Sequence, residues 1–195
     1  MYCNQVGRIA CAFSSTLFMA GLLVASPQNS QPSTSTSEPE TRKVQREVSH
    51  VLGRVQSYSA EVADRAATLE SLARSPQISR QTHAFELNQA RDRVNEMGKL
   101  FHWLRTNRHR ASPWQQQAID QVRPMFNILA GRTEKTIRLF NENRNTLFDT
   151  AYADHTTDMR VIAVRMRKTV GAYREYGEAQ QKLQQLEASL LPTRE

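Results

Sequence analysis

Between Arg42 and Arg74, apolar residues recur every three or four positions: Val44, Val48, Val51, Val55, Tyr58, Val62, Leu69 and Leu72. Only Arg65 interrupts, with Ala66 beside it. A helix keeps such a series on one face, whereas a strand would send its members to both faces. A stripe sustained over about four heptads is the seam of a packed helix. It predicts helix one over about 42–74. Ser75-Pro76 follows, and a residue before proline is pushed out of the helical region.

Ser75-Pro76 and Ser112-Pro113 both read as helix starts. Serine accepts from free backbone N–H groups, and proline fits the first helical position because its missing N–H has no carbonyl to meet there. Helix two is expected over about 77–110. Its stripe is His83, Leu87, Ala90, Val94, Met97, Phe101 and Leu104, broadened by Leu100 and Trp103. Arg105, Arg108 and Arg110 suit the negative end of its dipole. Helix three is expected over about 113–143, with Ile119, Val122, Phe126, Leu129, Ile137 and Phe140 inward. Pro124 lies inside it and predicts a kink or short break around Gln121 to Met125. Thr146 and Asp149 form an acidic capping box for helix four, over about 147–191. Its stripe is Tyr152, His155, Met159, Ile162, Met166, Thr169, Tyr173, Tyr176, Leu183 and Leu190. Pro192 ends it, leaving residues 192–195 as a tail. At 1.5 Å per residue this last helix is about 60 Å long, against about 45 Å for a 30-residue helix.

Short connections between amphipathic helices imply antiparallel neighbours. The fold class is therefore all-α: an antiparallel up-down-up-down four-helix bundle over 42–191 with a long fourth helix, preceded by a signal segment and a disordered linker. No helix is apolar all round, so each buries one stripe and shows water the rest. Apolar residues make up 39 % of the 195, enough for one core and too few for a multi-span membrane protein.

The N-terminal forty residues have another logic. Ile9 to Ala25 is an apolar run preceded by Arg8 and softened by Ser14, Ser15, Thr16 and Gly21. A membrane span needs about 20 apolar residues, so this run reads first as a secretory signal, residues 1–25, cut near Ala25. The alternative is an uncleaved signal anchor, in which case membrane contact is confined to residues 9–25. Residues 26–41, rich in Ser, Thr, Gln, Pro and Glu, have nothing to bury against the entropy of ordering and read as a disordered linker. Both cysteines, Cys3 and Cys11, precede the bundle. The bundle is thus expected to hold no disulfide, no thiolate metal site and no cysteine nucleophile. The protein is expected to be exported, periplasmic or extracellular, or tethered through its N-terminus.

The formal charge of +7 permits an anionic partner. Export argues against nucleic acid. Arg160, Arg167 and Arg174, spaced by seven, are expected to form an outward basic stripe for anionic lipid or envelope polymer. His83, His155 and Met159 occupy seam positions near the starts of helices two and four. In an up-down bundle those starts share one end, making the three candidates for a transition-metal or pH-sensing site. No phosphate loop, G-x-S-x-G or H-E-x-x-H occurs, and the one Glu-x-x-His spacing, Glu47 to His50, falls outside the seam. No cofactor is expected and the chain is read as no enzyme.

Two function classes remain. The first is a non-catalytic exported helical interaction or scaffold protein of the cell envelope, with an unknown protein or envelope component as partner. Leu183, Leu186 and Leu190, on the part of helix four that outruns the bundle, are its interaction candidates, including for self-association. The second is a small-ligand, metal or pH sensor using the His/Met-lined end. A void lined by His83, His155 and Met159 would favour the second class, a filled core the first.

Overall fold

The computed structural model describes residues 37–74, 79–142 and 150–190. The signal segment 1–25, linker residues 26–36, Ser75-Pro76, the capping box Thr146 to Asp149 and the tail 192–195 lie outside them. The described residues are helical, without strands: α1 Ser37–Ala73, α2 Arg80–Asn107, a 3-10 turn Arg108–Arg110, α3 Pro113–Glu142 and α4 Thr150–Leu190. With 41 residues α4 is the longest, as its stripe predicts.

Helix α1 starts at Ser37 rather than near Arg42, so five residues expected in the linker are helical. Pro39 falls in the first turn, where no backbone N–H is needed. Glu40 suits the positive end of the dipole and pairs with Arg110 at 2.7 Å. Helix α2 is capped by Ser79, whose hydroxyl accepts from the Thr82 N–H at 3.4 Å. At α3 the expected roles are exchanged. The Ser112 hydroxyl is buried without a partner, while the Gln115 carbonyl oxygen accepts the Ser112 N–H at 2.8 Å. That is the reaching-back half of a capping box. Helix α3 passes Pro124 without a break. Pro124 and Asp120, whose carbonyl loses its donor, are both exposed, so water can serve that carbonyl.

Helix α4 packs most extensively on α1 and then on α3; α1 also packs on α2, and α2 on α3 is the lightest interface. Glu61 meets Arg93 at 2.6 Å and Arg65 meets Glu86 at 3.0 Å between α1 and α2. Glu70 meets Arg160 at 2.9 Å, and Gln56 accepts from Arg174 at 2.7 Å, between α1 and α4. Thr136 lies 3.3 Å from Met159, and Arg132 pairs with Asp158 at 3.2 Å, between α3 and α4. Phe101 stacks on Phe126 between α2 and α3, with ring centres 4.7 Å apart.

The core follows the stripes over much of their length, but Tyr176, on the expected stripe of α4, is exposed, and Thr133 and Thr136, outside the expected stripe of α3, are buried. Val48, Leu52, Val55, Val62, Met97, Leu104, Leu129, Met159, Met166 and Val170 are buried. Full burial of one such side chain contributes about 1.5–3 kcal/mol before entropy is set against it. One substitution in the α1 stripe was hidden by composition. Ser59, not Tyr58, fills the seam between Val55 and Val62; its hydroxyl donates to the Val55 carbonyl at 2.7 Å. A smaller apolar cluster of Leu69, Ala73, Leu87, Phe140 and Tyr152 joins the ends of α1 and α3 to the starts of α2 and α4.

Candidate functional site

Three places carry the side chains that the sequence singles out. At the first, His83 is wholly buried and its Nδ1 lies 3.4 Å from the Tyr152 hydroxyl, the tautomer deciding which atom donates. Its Nε2 has no hydrogen-bond partner. Burial lowers the His83 pKa from its ordinary value, and the nearby Arg80 charge lowers it further. Burial likewise pushes the Tyr152 phenol up, against the opposing pull of Arg80. Arg80 is itself occupied: its guanidinium lies 4.0 Å over the Phe140 ring and donates to the Phe140 carbonyl. His155 takes a different neighbour, with Nδ1 at 3.3 Å from an Arg132 nitrogen. Met159 is packed against Thr136. The seam side chains are thus distributed over α2, α3 and α4 contacts, with Tyr152, which period alone marked only as core, standing against His83. Among the described residues no group of three or more His, Cys, Asp or Glu is placed to hold a metal ion.

The second place is the basic stripe. Arg160, Arg167 and Arg174 do lie on one line of α4, but that line borders α1 instead of facing away from it. Arg160 is drawn onto Glu70, and Arg174 onto Gln56 and over Gly53. Arg167 is exposed. Spacing by seven fixes a common line; it does not say which neighbour the line meets.

At the third place, the end of α4, the structure concentrates unfilled surface. Every residue from Glu178 to Leu190 is exposed, Leu183 at 56 %, Leu186 at 53 % and Leu190 at 80 %. Val44 and Val48, which lie at the start of α1, are buried without covering these leucines. An open cleft of about 780 Å³ lies at the root of this segment, lined by the starts of α1 and α3 and by Gln180, Gln181 and Gln184. Trp114 forms its floor. Trp114 reaches α4 because residue 177 is glycine: a Cβ there would sit 2.4 Å from the indole. Gln115, also buried, ties the cleft wall together. Its amide nitrogen donates to the Gln45 carbonyl at 2.7 Å and to the Ser49 hydroxyl at 2.8 Å. Arg42 and Arg46 stand on the α1 side. The lining offers amides, guanidinium groups and an indole, and holds no carboxylate or imidazole that would serve as a general base.

The chain matches no protein-family model, and no curated protein or solved structure matches it significantly. No helix among the described residues is long and apolar enough to cross a membrane.

Proposed function

We propose that this chain is a non-catalytic helical interaction or scaffold protein, exported to the cell envelope. The observation that carries the reading is the exposed leucine row of α4. Leucines at positions 183, 186 and 190 keep helical spacing where the bundle no longer covers them, and an uncovered apolar row on a helix is a surface for another helix. The order of polar contacts supports an up-down-up-down bundle: Glu40 meets Arg110 just after α2 and Gln56 meets Arg174, while later in α1 Arg65 meets Glu86 and Glu70 meets Arg160. Export rests on the apolar run Ile9 to Ala25 behind Arg8. The unknown partner is a protein or other envelope component.

The test is capture from the chain's own envelope extract with wild type and with a Leu183→Glu/Leu186→Glu variant. The expected result is a component retained by wild type and lost by the variant. Equal retention by both, or none by either, overturns the reading. N-terminal sequencing of protein recovered from the native host tests export: a mature end near Ser26 is expected for a cleaved signal, and Met1 in a cytoplasmic fraction defeats it.

A second reading, pH sensing, is favoured by one observation: His83 is wholly buried with Nε2 unpartnered. Protonation there would place an uncompensated charge beside Arg80 and loosen the junction of α1, α2 and α4. It would be supported by a change in partner capture between pH 7 and 5 that a His83→Leu variant abolishes.

A further inference from the structure

We propose that the partner of the α4 end is a second copy of this chain, paired parallel and in register through the stripe Ala172, Tyr176, Ala179, Leu183, Leu186 and Leu190. The proposal rests on the interaction reading above and names its partner. The six positions follow a four-three alternation, the a and d positions of a heptad. All six are exposed in the single chain, Tyr176 at 56 %.

Two observations select the occupant. The first is the direction of the stripe. Gln180, Gln181 and Gln184 line the cleft beside α1 and α3, so they mark the side of α4 that faces its own bundle. At about 100° per residue the leucines fall on the far side of the helix. Ala172 and Tyr176, at the start of the stripe, border Gln117 of α3, and the leucines lie beyond that contact. Two α4 helices can meet along that side with both bundles held outward. The second is charge. With Leu183 and Leu190 at a, Lys182 is a g position and Glu187 the following e position. A parallel in-register pair sets Lys182 of each copy against Glu187 of the other, giving two attractive pairs. An antiparallel pair that keeps the leucines together sets Lys182 against Ser189 or against another Lys182, and the register that would bring Lys182 to Glu175 sets Leu190 against Arg165.

The stripe also has an end. One step before Ala172 and Thr169, the d position is Arg165, which is exposed. In a parallel pair it would face its own counterpart, and like charges separate the helices there. The seam therefore runs from Ala172 to Leu190, about 28 Å. So short a seam predicts a concentration-dependent dimer, strengthened when the chains share a surface or a tether.

The experiment uses the full chain with Cys3→Ser and Cys11→Ser, and places one cysteine either at Ala179 in the stripe or at Gln184 on the cleft side. Under mild oxidation the Ala179→Cys chain is expected to form a disulfide-linked dimer and the Gln184→Cys chain to stay single. No linked dimer at position 179, or equal linkage at both, overturns the proposal. Sedimentation of the cysteine-free chain gives the second readout. Leu183→Glu/Leu186→Glu is expected to abolish the dimer with unchanged helical circular dichroism, since both leucines are exposed. Association that persists in this variant belongs to another part of the chain and also overturns it. Lys182→Glu is expected to weaken dimerisation roughly tenfold, and adding Glu187→Lys to restore it; failure of that rescue excludes the parallel register. A monomeric chain whose leucines are still needed to capture an envelope component removes the second copy and leaves the interaction reading standing.

Discussion

At the scale of single residues, the five glycines in the helices separate by what a methyl group would meet. At Gly177 it would lie 2.4 Å from the Trp114 ring, so the indole would have to leave its place against α4. Gly177→Ala is expected to lower stability by about 1–3 kcal/mol, the range for overpacking. At Gly131 nothing stands within 4 Å, so Gly131→Ala is expected to raise stability by about 0.5–1 kcal/mol through helix propensity. Urea unfolding of both variants checks the pair, and equal shifts would refute the packing argument. His83 makes the second prediction. Its folded pKa is below the ordinary value near 6.5, so the unfolded chain binds the proton more readily. Stability contributed by the neutral, buried ring is then fully present above pH about 6.5 and is lost as pH falls toward the folded pKa. Unfolding free energies measured from pH 7.5 to 5 are expected to fall less steeply in His83→Leu than in wild type. Neither residue could be read in this way from the sequence. Period marked His83 as inward but not Tyr152 as its neighbour, and Gly177 looked like any glycine within a helix.

At the scale of elements, four helices were legible because each carries an apolar stripe of the right period, and tertiary burial reinforces what period alone suggests. What was not legible lay at the ends and flanks. Helix α1 gained a turn because Glu40 finds Arg110, a partner 70 residues away that no local pattern encodes. The Ser112 cap failed because Gln115, three residues on, competes for the same junction and is held there by Gln45 and Ser49. The basic stripe was placed on the right line but against the wrong surroundings, since α1 supplies Glu70 and Gln56 to draw two of its arginines in. Pro124 was expected to kink or briefly break α3; the helix runs on without a break, because the lost bond faces water. Proline is about 3 kcal/mol less favourable than alanine inside a helix, partly offset by its stiffening of the unfolded chain. Pro124→Ala is therefore expected to stabilise the protein by roughly 1–3 kcal/mol, read as a higher urea midpoint at unchanged slope.

At the scale of the whole molecule, the load is carried by a continuous core from Val44 to Val170, and the last thirteen described residues of α4 lie beyond it. At a concentration where the full chain is single, truncation after Gln180 is expected to leave the thermal midpoint within about 2 °C, because the residues removed are exposed in the single chain. A larger fall would mean that the cleft side of α4 holds α1 and α3 together. The same feature has a kinetic face. A helix of a dozen residues without tertiary support is marginal in water, and opening free energy falls toward zero where contacts end. Backbone amides from Gln181 onward are therefore expected to exchange with deuterium far faster than those of Met159 to Val170 in the dilute chain, and to slow as soon as any partner settles on the leucine row. The tip of α4 is in effect a protection gauge: its exchange rate reports occupancy directly, whichever molecule does the occupying.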